Sequence, residues 1–205
     1  MFDFGIDGYQ PVWLRGRSEV VQEHGHRLRG LAGRTLTRVW LVWDLQDDEW
    51  LCDCPVLFDF DGEQVEINHH KFDDLSLTWN TIDTGRPVRW PGFDLQWRPE
   101  PLPELEALRG LSLKEVELLE WAGGDLAQGN VDVSFAFEVG RATTFNALDE
   151  NGLSFDPPGP HQRAHELDQR TRCSDIPPVR GGFAGEPAAY EIKGRGVSGT
   201  ASQSA

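Results

Sequence analysis

The chain has 205 residues, 39 % hydrophobic and 10 % aromatic, enough to bury a core in a domain of ordinary size. Its formal charge of −15 repels phosphate backbones, which argues against a nucleic-acid partner and favours a basic protein instead. All of that excess lies in residues 1–155, which hold 28 acidic and 13 basic side chains; residues 156–205 are neutral.

Three cysteines, two of them one residue apart, are not a secreted disulfide framework. The opening MFDFGIDGYQPVW has no basic start and no apolar leader, and no run approaches membrane length. The expectation is a reduced, cytoplasmic protein without membrane contact. Sixteen arginines against three lysines point to a GC-rich, bacterial genome.

In chain order, SEVVQEHGHRLRGL (18–31) is a weak helix interrupted by Gly25. Period-two alternation then predicts strands near 35–43, 50–60, 63–71 and 75–80. Asp61-Gly62 supplies the positive φ values of a two-residue type I′ turn, so Phe60 should face Glu63, Phe58 face Val65 and Val56 face Ile67. Residues 81–104, rich in Pro and Trp, read as an ordered connector. LPELEALR (102–109), with Pro near its start and Gly110 after it, reads as a short helix. Strands follow near 112–120, 131–137, 141–147 and 153–156. Glu138-Val139-Gly140 reads as a three-residue loop that sets Phe135 opposite Thr143 and Val133 opposite Phe145. From 157 to 205 the chain is low in complexity and is expected to be a disordered tail.

The two strand sets resemble each other. At an offset of 77, Leu28, Leu31, Gly33, Leu36, Val39 and Leu41 meet Leu105, Leu108, Gly110, Leu113, Val116 and Leu118. Val56, Phe58 and Phe60 meet Val133, Phe135 and Phe137. An offset of 78 then pairs Gly62 with Gly140 and Ile67 with Phe145. This pattern predicts an α+β, mainly antiparallel β protein: one compact domain over 1–156, built from two tandem pseudo-symmetric four-stranded units (28–80 and 105–156) with short helices.

Cys52, Cys54 and His69 share one face of the predicted hairpin and are the candidate zinc ligands. Free cysteine also fills cores, and the matching positions Gly129, Val131 and Ala147 are small or apolar, which favours a packed hairpin and no cofactor. Phosphate-loop, dinucleotide and serine-nucleophile motifs are absent from the sequence.

Between Asp44 and Asp74 stand eleven acids and one basic residue, Lys71. Trp40, Val42, Asp53, Leu57, Asp59 and Glu66 project to one face of the first sheet: apolar anchors within an acidic rim, the composition of a protein-binding patch. The competing reading is that the helices or the connector, with Trp90 and Trp97, cover that face. The patch leads to the expectation of a non-enzymatic binding or inhibitory protein. It would engage a basic partner in the manner of immunity proteins that neutralise toxins, a comparison that rests on charge and size alone. The alternatives are a small-ligand binder or enzyme using a Trp-rich cleft between the units, and a zinc protein through Cys52, Cys54 and His69.

Overall fold

The structure, a computed structural model, describes residues 4–167. In chain order its elements are β1 (Trp13–Leu14), α1 (Gly16–Arg29), β2 (Leu36–Asp44), β3 (Glu49–Trp50), β4 (Val56–Phe60), β5 (Glu63–His70), β6 (Asp74–Trp79) and β7 (Leu95–Pro99). The second half contributes α2 (Pro103–Leu108), β8 (Leu113–Trp121), β9 (Val131–Phe137), β10 (Arg141–Asn146), β11 (Asn151–Ser154) and β12 (Gln162–Glu166). Antiparallel pairing makes two sheets. One runs β1-β6-β5-β4-β2-β3 with β7 also on β2; the other runs β11-β10-β9-β8-β12.

The first hairpin has the register its alternation dictates: Val56↔Ile67, Phe58↔Val65 and Phe60↔Glu63. Asp61 (φ 53°) and Gly62 (φ 82°) turn it. The expected strand 50–60 breaks, however, into β3 and β4. Pro55 has no N–H to give to a ladder, and residues 51–55 turn instead, with the Cys54 amide bonded to the Leu51 carbonyl at 3.3 Å.

The second hairpin differs from expectation by one residue. Phe135 faces Ala142, not Thr143, and Val133 faces Thr144, not Phe145. The Phe137 amide bonds to the Gly140 carbonyl at 3.0 Å, so the loop is two residues long, and Gly140 takes its positive φ of 90° at the ladder edge. Ala142 and Thr144 therefore face the core, and Phe145 is turned to the outer face of the sheet.

Order also continues beyond 156, because β12 pairs along β8 from Trp121↔Gln162 to Glu117↔Glu166. Part of the connector is likewise a strand: β7 pairs with β2 from Asp44↔Leu95 to Trp40↔Pro99. The rest of the expected tail, 168–205, lies outside the described residues.

Strand order β6-β5-β4-β2-β7 in the first sheet thus parallels β11-β10-β9-β8-β12 in the second. A register irregularity falls between Leu36 and Arg38 in one and between Leu113 and Glu115 in the other. Between the sheets the hydrogen bonds are reciprocal. The Gly33 amide donates to the Leu113 carbonyl and the Gly110 amide to the Leu36 carbonyl, both at 2.8 Å. Thr35 and Ser112 form a bridge between them.

The main core fills the space between the sheets, with Phe58, Phe60, Leu28 and Leu36 from one half and Phe135, Leu105 and Leu113 from the other. Helix α1 has few apolar residues of its own; Val20 and Leu28 are its buried side chains, and packing rather than propensity holds it. A second core covers the outer face of the first sheet, where Phe4, Tyr9, Ile82, Val88 and Trp97 close over Val42 and Leu57.

Candidate functional site

That second core decides the fate of the predicted Trp40 patch. Val42, Leu57 and Glu66 are fully buried. Trp40 and Asp59 are half-buried, and Asp53 is exposed. The six do not form one open surface, because the N-terminal segment and the connector spend their aromatic area on this face. Glu66 holds the cover in place. Its carboxylate accepts from the Thr81 amide (2.6 Å), the Thr81 hydroxyl (2.6 Å), the Ile82 amide (2.8 Å), the Gln64 side chain (2.9 Å) and the Thr78 hydroxyl. Trp97, expected to line an open cleft, is buried in the same core, and Trp90 packs on it.

Most of the Asp44–Asp74 acids are similarly engaged. Asp74 and Asp73 hold Arg15, Glu63 holds Arg27, and Asp48 holds Arg98. Asp59 binds the Thr37 hydroxyl and the Gly62 amide, Asp61 the Thr35 amide, and Asp44 the Gln46 amide. A run of negative charge in sequence is here largely a set of turn and edge ties.

Cys52, Cys54 and His69 do not form a metal site; no group of three or more His, Cys, Asp or Glu that could hold an ion occurs among the described residues. Burial pushes the Cys54 thiol far above its ordinary range and, together with Glu150, Asp53 and Glu49, pushes the Cys52 thiol up to about 11. Both are therefore held as neutral thiols. His69 is buried and driven down to about 4 by desolvation, so it is a neutral core imidazole. Its neighbourhood is a polar joint between the sheets. The Asn151 side chain donates to the carbonyls of Cys52 (2.8 Å) and Cys54 (3.0 Å) and to Asn68 Oδ1 (2.8 Å), and accepts from the His69 amide (2.8 Å).

This joint brings one end of each sheet together, and the loops there carry the exposed features. Beside Cys52 lie Glu49, Asp53 and Glu150. Leu148, in the two-residue turn between β10 and β11, is 82 % exposed with φ 60°, an unusual backbone for leucine. Leu126 is 87 % exposed and Phe72 53 %. Asn130 and Asn146 tie these loops together, donating to the carbonyls of Phe72 and Lys71.

In the midst of these loops is a cleft of about 270 Å³, walled by Trp121 and Phe145 and floored by Asp132 and Gln162. Trp121 is fixed by its indole N–H to Asp125 at 2.8 Å. Asp132 accepts from Gln162 Nε2 at 2.8 Å and from the backbone of Asn146. Desolvation nonetheless raises it to about 6. Alternation with a three-residue loop places Phe145 in the core and hides this site; its trace in the sequence is Asp132, an outward acid between the core residues Val131 and Val133.

No protein-family model, curated protein or solved structure matches the chain. Among the described residues no helix is long and apolar enough to cross a membrane.

Proposed function

We propose that the chain is a non-enzymatic binding or inhibitory protein of the cytoplasm, built on a duplicated five-stranded unit, that engages a basic protein through the loop end of its two sheets. The duplication reading is supported by the shared strand order, the irregularities 77 residues apart and the reciprocal Gly33–Leu113 and Gly110–Leu36 bonds. Such reciprocity is the signature of an isologous interface, here within one chain.

The observation that carries the binding reading is the gathering at one end of Phe72, Leu126 and Leu148 with the acids Glu49, Asp53 and Glu150. Apolar anchors among like charges are the composition of a recognition surface, and loops on a rigid sheet scaffold are where such surfaces are carried. The rest of the negative charge supplies long-range steering.

The test is capture from an extract of the source cell on immobilised full-length chain at low and high salt. A basic protein should be retained at low salt, weakened by high salt, and lost in a Leu148→Ser/Phe72→Ser variant and in a Glu49→Gln/Asp53→Asn/Glu150→Gln variant. Trp40→Ala, on the covered face, should capture normally. Capture that survives both loop-end variants would overturn the assignment of this surface.

A further inference from the structure

Asp132 has an unusual balance of surroundings. It is 7 % exposed, yet among the described residues no Lys, Arg or His lies within ion-pair distance of it. The titratable groups nearest the cleft are engaged elsewhere: Asp125 on the Trp121 indole, and His161, whose ring lies 5.6 Å from that of Trp121. On the neighbouring strands Glu120 pairs with His165 and Arg17, and Glu117 with Arg141. A buried carboxylate without a cation destabilises the fold that contains it unless it is neutralised. The same desolvation raises its affinity for a proton.

The cleft above it fits what would correct that imbalance. Two aromatic residues, Trp121 and Phe145, line the cleft with the carboxylate, the Phe145 ring resting on Gly152, and aromatic faces attract cations as the carboxylate does. About 270 Å³ is below the range of roughly 300–1,000 Å³ usual for small-molecule and cofactor pockets, and suits one side chain. The donors around Asp132 are already in use on it, so what remains is attraction for positive charge. Ala127 adds a further apolar surface to the lining, which suits the methylene stem behind a charged head.

We propose that this cleft receives a single cationic side chain, lysine or arginine, of the basic partner, with its charged head on Asp132 between the rings of Trp121 and Phe145. The inference rests on the binding reading above and supplies that surface with its central anchor.

Amide-resolved NMR of the full chain tests it with Nα-acetyl-lysine amide and Nα-acetyl-arginine amide, beside their uncharged analogues Nα-acetyl-norleucine amide and Nα-acetyl-citrulline amide. Either or both charged probes should shift the Trp121 indole and Gln162 side-chain resonances and saturate in the millimolar range. The uncharged analogues should bind ~10-fold more weakly. Asp132→Asn should remove the preference for charge while its spectrum stays dispersed. Phe145→Leu, which leaves the carboxylate in place, should weaken every probe that binds.

Equal response to charged and uncharged probes, a charge preference that survives Asp132→Asn, or no response at all would overturn the proposal and leave Asp132 a structural residue. The titration is independent of partner capture. Selective binding of the probes with failed capture removes the protein partner and keeps the cation site, and the converse removes only the anchor.

Discussion

The rings of Phe58 and Phe135 lie 4.7 Å apart, centroid to centroid, Phe58 facing Val65 across one hairpin and Phe135 facing Ala142 across the other. Both are fully buried, and Phe60 adds a third ring 5.0 Å from Phe135. Truncating either Phe58 or Phe135 to alanine should cost about 3–5 kcal/mol by urea unfolding, since each leaves a cavity between rigid sheets. Because the rings touch, the double variant should lose less than the sum, by ~0.5–1.5 kcal/mol. Additive losses would mean that the two rings do not share one core.

Gly33 and Gly110 test the proposed duplication from the backbone side. Both take positive φ, 85° and 83°, both donate to the opposite unit, and neither has an atom within 4 Å of where a Cβ would sit. Alanine at either site meets no steric obstacle, so its cost is the left-handed backbone alone, about 1–2 kcal/mol. Equal losses at the two sites are the expected result. A loss confined to one would show that the two junctions carry different loads.

The strand pattern and the β4–β5 register were legible because alternation and an Asp-Gly turn determine both together. The β9–β10 register was not. Gly140 suits either a three-residue loop or a ladder edge, and local chemistry does not separate the two. That single residue decided whether Phe145 was core or cleft wall, so the cleft stayed hidden with it. β7 and β12 escaped notice for another reason: both are edge strands whose pairing is set by β2 and β8, not by their own alternation. The cover over Val42 and Leu57 comes from Phe4, Tyr9 and Trp13, an aromatic segment with no periodicity to announce it.

Glu66 converts a charge that looked like surface into a clamp on that cover. Glu66→Gln replaces an acceptor-only group by one whose amide would face donors it cannot satisfy. A loss of about 2–4 kcal/mol is expected, since several charge-assisted bonds fall together. Hydrogen exchange should rise first at Thr81 and Ile82, ahead of the sheet interior. Unchanged exchange there would mean the apolar contacts of Ile82 and Val88 hold the connector unaided.

Asp132 and His69 make the pH dependence of stability a contest between two buried groups. The Asp132 carboxyl is raised from its ordinary 3.8 to about 6, so the folded state binds its proton more tightly than the unfolded chain does. That term favours folding at acid pH and is lost as pH climbs from about 4 through 6, by up to ~3 kcal/mol. His69 is lowered from 6.5 to about 4, so its neutral form favours folding above 6.5 and that stability is lost as pH falls toward 4, by a similar ~3 kcal/mol. In the wild type the two slopes oppose each other over much of this interval, and urea midpoints should vary little between pH 4.5 and 6. Asp132→Asn removes one of them. The variant should be about 1–2 kcal/mol more stable than wild type at pH 7.5, the remainder being lost to an imperfect fit of the amide between Gln162 and Asn146. Below pH 6 it should weaken steeply with acid, because the His69 term then acts alone. A variant less stable at pH 7.5, or one whose stability stays flat down to pH 4.5, would show that Asp132 is not held in the folded state as a carboxylate without a counter-charge.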